Sequence, residues 1–212
     1  MRALLFVGWF AIVAAFSAGL GGVTPADISK NDEIAVAMEF RRLAAMPPSQ
    51  RSMNEDFMLG IAYYEGLPEA GVRPDPAKAR ELFESAFRKG YEYGAVHVLL
   101  SDIRANDAKL FLNDANRYLA MNLDPSTKQK ILKVVSDRMI ETGNTKLAEP
   151  YLKILADFFD DPGAAVSLAV IYREGLDGRG ANAALANSYL NKGCRNPTAN
   201  EEIRSFCAQF RK

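Results

Sequence analysis

From residue 34 to the end of the chain, apolar residues recur three and four positions apart almost without a break. That is the spacing of one helix face, not the alternation of a half-buried strand. The polar interruptions read as helix punctuation. Asp75-Pro76, Asp124-Pro125 and Asp161-Pro162 each pair an acid that can cap free amides with a proline suited to the first helical position. Ser52 with Glu55, and Thr198 with Glu201, have the form of a capping box. These signals predict an amphipathic helix over 34–45, stopped by Pro47-Pro48, and then four helix pairs. The pairs are 53–65 with 76–89, 91–105 with 108–122, 126–142 with 145–159, and 162–174 with 182–193. The second turns at Asn106-Asp107, the third at Gly143-Asn144, and a terminal helix over 199–210 covers the open end. Pairs recur every 35–38 residues. A two-helix unit of that size cannot bury its apolar face alone, so neighbours must stack. The expected fold class is all-α, an αα-solenoid of about four helix pairs with an N-terminal helix and a C-terminal capping helix.

Two segments match each other in detail. Phe57-Met58-Leu59-Gly60-Ile61-Ala62-Tyr63-Tyr64-Glu65-Gly66 aligns with Val166-Ser167-Leu168-Ala169-Val170-Ile171-Tyr172-Arg173-Glu174-Gly175. The following helices align too, Asp75 with Asn182, Ala79 with Ala186 and Ala86 with Gly193, across a loop two residues shorter in the later copy. Small residues at Gly60 and Ala169 permit close helix approach. Tyr63 and Tyr172 bring a ring for the seam and a hydroxyl for a polar edge. Gly66 and Gly175 suit a left-handed helix end.

In these residues the chain resembles the Sel1-like repeat family. Residues 57–90 carry its pattern through Leu59, Gly60, Tyr63, Gly66, Gly71, Asp75, Ala79, Ala86 and Gly90, with Pro68-Glu69-Ala70 inserted in the loop. Residues 166–194 keep Leu168, Tyr172, Gly175, Gly178, Gly180 and Ala186, and the two middle pairs lack the glycines. The resemblance implies a right-handed, TPR-like solenoid without catalytic activity. It also implies a protein partner held on a concave helical face, in envelope scaffolds or polysaccharide export. In exported members a disulfide commonly ties a unit's second helix to the next helix, a role Cys194 and Cys207 could fill here.

Composition narrows the classes further. Lys+Arg and Asp+Glu both total 26, so the chain offers neither the basic footprint of a nucleic-acid binder nor a polybasic membrane anchor. Met1-Arg2, an apolar run over 3–16 and Ser17-Ala18-Gly19 form a secretory signal pattern. Cleavage is expected after Ser17 or Gly19, giving a signal over 1–19 and a repeat domain over 27–212 in the periplasm. The competing reading is an uncleaved anchor, the one route to a membrane, although the run is shorter than the ~20 residues of a span. After export, Cys194 and Cys207 read as one disulfide; in a cytosol they would be two thiols. Two cysteines without a nearby histidine make a poor zinc site.

Catalytic patterns do not emerge. The one histidine, His97, sits in an apolar helical stretch and reads as a packed position. The glycine-rich stretch over 175–180 follows a helix, not the strand a phosphate loop requires. The expectation is a non-enzyme without cofactor or metal that acts as a periplasmic adaptor or regulator. Binding is expected on the concave helix faces and on the loops at 66–75 and 175–181. The alternative is a polysaccharide-binding accessory protein, with Tyr64, Tyr91 and Tyr93 exposed to stack on sugars.

Overall fold

A computed structural model of the chain describes residues 30–176 and 180–210. The expected signal over 1–19 and the start of the expected repeat domain, 27–29, lie outside them. The described residues hold ten α-helices and no strand. The described residues divide into two compact units, one up to Gly94 and one from Ala95 on.

The first unit contains α1 (Lys30–Ala45), α2 (Met53–Glu65) and α3 (Pro76–Arg88). The Ser52 hydroxyl caps α2 by accepting from the Glu55 N–H, while the Glu55 carboxylate accepts from the Ser52 N–H at 2.7 Å, a complete capping box. Asp75 caps α3 by accepting from the Lys78 N–H, ahead of Pro76. Val36, Phe40, Leu43, Leu59, Ala62 and Leu82 close the core, and Leu67 folds in from the loop. At the α2–α3 contact, a Cβ on Gly60 would lie 2.6 Å from the Phe83 ring. Phe83 itself is fully buried. A methyl group at residue 60 would therefore separate the two helices.

The second unit begins within α4 (Gly94–Arg104) and continues through α5 (Ala108–Leu119), α6 (Pro125–Glu141), α7 (Thr145–Asp157), α8 (Pro162–Glu174), α9 (Ala183–Arg195) and α10 (Glu201–Phe210). α6 pairs with α7, α7 lies on α8, α8 pairs with α9, and α10 rests on both helices of that pair. Asp107, Asp124, Asp161 and Asn182 each cap the following helix through a side-chain oxygen. The core runs through Phe111, Tyr118, Ile131, Val135, Leu152, Leu155, Leu168 and Ala169.

Three predicted helix starts shift by two residues or more, and three predicted ends shift too, from 122 to Leu119, from 159 to Asp157 and from 193 to Arg195. α1 starts one turn earlier than residue 34, at Lys30. The second pair starts at Gly94, not 91, because Tyr91 opens a turn in which its carbonyl accepts from the Gly94 N–H. The last helix starts at Glu201 because Asn200, not Thr198, supplies the cap, its side chain accepting from the Ile203 N–H at 2.9 Å.

Candidate interaction surface

The two matched segments form equivalent helix hairpins. In the first, the Asp75 N–H donates to the Tyr63 carbonyl at 2.7 Å; in the second, the Asn182 N–H donates to the Tyr172 carbonyl at the same distance. Leu59, Ala62 and Ala79 are buried in the one, Leu168, Ala169 and Ala186 in the other. Gly66 and Gly175 end their first helices at positive φ, and Gly71 in the loop and Gly90 after the second helix of the first repeat also have positive φ. Ala86 is fully buried, and its counterpart Gly193 has no room for a side chain: a Cβ there would meet the Pro162 carbonyl at 2.9 Å.

Each hairpin is clamped by different polar chemistry. In the first, the fully buried Asp56 receives Arg51 Nε at 2.7 Å, Lys89 Nζ at 2.6 Å and the Ser85 hydroxyl at 2.6 Å. Lys89 also donates to the carbonyls of Pro48 and Arg51. Burial pushes the Asp56 carboxyl up, but hydrogen bonds from Lys89, Ser85 and Arg51 outweigh it and hold the group below the usual carboxylate range. In the second, Cys194 on α9 and Cys207 on α10 are joined by a disulfide, with Cα atoms 5.7 Å apart. The Tyr172 hydroxyl donates to Glu149 at 2.5 Å, and Tyr189 donates to Asp157 at 3.0 Å. Burial and the Asp157 hydrogen bond push the Tyr189 hydroxyl up to about 12. Lys153 and Lys192 pair with the same two carboxylates.

The sites expected from sequence are mostly closed. The loop over 66–75 is pinned by the Leu67–Val72 bridge and a 3-10 turn at Pro68–Ala70. Residues 177–179 of the second loop lie outside the described residues. Tyr64, Tyr91 and Tyr93 are half-buried, which corrects the expectation that they are exposed. Tyr91 meets Phe57 edge-on at 4.7 Å and Tyr93 at 6.3 Å, and Tyr64 meets Phe83 at 6.4 Å. Rings engaged with one another in this way do not form an open stacking platform. His97 is also half-buried, on α4. Among the described residues no group of His, Cys, Asp or Glu could hold a metal ion.

What remains open is apolar, and the sequence reading missed it. α7 buries Ala148, Leu152, Leu155 and Ala156, and its carboxylates Glu149 and Asp157 are engaged as described. A third face carries Leu147, Tyr151, Ile154 and, just past the helix end, Phe158, at spacings of four, three and four. Leu147 is 54 % exposed, Ile154 45 % and Phe158 78 %. Tyr151, Ile154 and Phe158 form one wall of a groove of about 550 Å³. Pro125, Lys128 and Leu132 of α6 form the opposite wall, and Leu119, Leu123 and Phe159 close its end. Phe158 packs edge-on against Phe159 at 5.0 Å, but the rest of the ring faces solvent beside aliphatic side chains, the kind of patch on which a partner can dock.

Stacked helical hairpins, with ten helices and no strand among the described residues, define an αα-repeat fold. The Sel1 repeat model matches residues 56–91 and 162–197, so these two stretches are Sel1 repeats. Sel1 repeats are non-catalytic modules that mediate protein–protein interaction. Comparison with curated proteins and with solved structures gives no match.

Proposed function

We propose that the chain is an exported adaptor that holds an envelope protein on the apolar groove between α6 and α7. The observation that carries this reading is the groove itself, with Phe158 78 % exposed on a helix whose carboxylates Glu149 and Asp157 are already engaged. The N-terminal export pattern supports a periplasmic setting, and a disulfide is at home in an oxidising compartment. A photo-crosslinking residue placed at Phe158 in cells should give one discrete protein adduct. The same residue at exposed Glu81 of α3 serves as the control. Equal background from both positions would remove the groove as the docking site.

A further inference from the structure

We propose that the groove takes an amphipathic helical segment of the partner. That segment would be about three turns long, with large apolar side chains on one face and a carboxylate set opposite Lys128. The inference rests on the protein-binding reading above and names the partner's chemistry. Both walls are helix ridges with the same repeat: Pro125, Lys128 and Leu132 on α6, and Tyr151, Ile154 and Phe158 on α7, each spaced three and then four. Ridges of that spacing accept the side chains of a further helix between them. Leu147 extends the α7 ridge by another turn, so it runs from Leu147 to Phe158, 11 helical steps or ~16 Å at the helical rise. A volume of about 550 Å³ holds a few side chains, not a folded domain. Strand addition has no template here. The isolated β-bridge among the described residues, Leu67–Val72, lies in the other unit.

Charge sets the polarity of the occupant. Lys128 is the charged side chain in the groove lining. Among the described residues Lys128 has no carboxylate within 4 Å; Lys109, Lys133, Lys146 and Arg195 of the same unit share this but are exposed, whereas Lys128 is half-buried in the groove. A half-buried cation in an otherwise apolar wall favours an anion brought by the occupant.

The test uses the full chain and three fluorescein-labelled 18-residue synthetic peptides, read by fluorescence anisotropy. One is an amphipathic Leu-faced helix with a Glu at the edge of its apolar face. The second has Lys in place of that Glu, and the third scrambles the first so that no apolar face remains. Expected is at least tenfold tighter binding of the Glu peptide than of either other peptide. Lys128→Glu should reverse the preference between the Glu and Lys peptides, and Phe158→Ala should weaken both about tenfold with unchanged circular dichroism. Equal binding of the scrambled peptide, or a preference that ignores Lys128→Glu, would overturn the inference. So would concentration-dependent dimerisation abolished by Phe158→Asp without peptide binding, since the occupant would then be a second copy. Crosslinks that persist from Phe158 in cells while every peptide fails would sink the helical occupant and leave the protein-binding reading standing.

Discussion

The two Sel1 repeats share a backbone and differ in what locks it. In the first, a fully buried carboxylate on α2 gathers Arg51, Ser85 and Lys89, tying the loop before α2 to the end of α3. In the second, the position matching Asp56 is Ala165, and the position matching Lys89 is Asn196. There the lock moves outward, to a disulfide from α9 to α10 and to two tyrosine–carboxylate bonds from α8 and α9 onto α7. The steric contact is redistributed as well. Gly60 against Phe83 becomes Ala169 with Leu190, and the tight point passes to Gly193 against Pro162. One helical hairpin can therefore be closed by an ionic centre or by covalent and neighbouring-helix contacts, and the two respond to different solution conditions.

The largest expected effect is Asp56→Ala, which strands Arg51 and Lys89. Breaking a buried ion cluster by removing one partner costs about 4 kcal/mol. Hydrogen exchange should show that loss in α2 and α3 and not in α8 and α9. The same group gives a pH signature. Its carboxyl is depressed in the folded chain, so its contribution is fully present above the unfolded value of about 4. It is lost as pH falls through the lower folded value. Acid titration followed by segment-resolved exchange should loosen the first repeat below about pH 4, and Asp56→Asn should flatten that response.

Reductant should do the converse. Opening Cys194–Cys207, which spans 13 residues, removes about 3 kcal/mol by loop entropy and acts on α10 and its seat on α8 and α9. Dithiothreitol or Cys207→Ser should raise exchange in residues 201–210 and leave the first repeat unchanged. Tyr172→Phe, which deletes the hydroxyl bonded to Glu149, should cost about 1 kcal/mol in thermal unfolding. Smallest of all, Phe158→Ala should change stability by under about 0.5 kcal/mol, because the ring is 78 % exposed.

Much of this was legible in the chain. The helices over 53–65 and 162–174 follow from their caps and terminal glycines, which are local signals. Tyr91 to Tyr93 misled because their apolar character reads as helix while a turn ending at Gly94 holds them. Asp56 reads as an ordinary acid in the first turn of a helix; its partners Ser85 and Lys89 lie 29 and 33 residues away, beyond any spacing rule. The α7 ridge was visible as 147, 151, 154 and 158. A helix apolar on two faces does not reveal which face its neighbours leave uncovered until those neighbours are placed.

The central claim is that partners dock on the α6–α7 groove and not on the first repeat's loop. Hydrogen exchange of the chain alone and bound to the protein crosslinked from Phe158 tests it most directly. New protection confined to residues 125–132 and 147–159 is the predicted result. Protection over 66–75 with no change along α7 would contradict it.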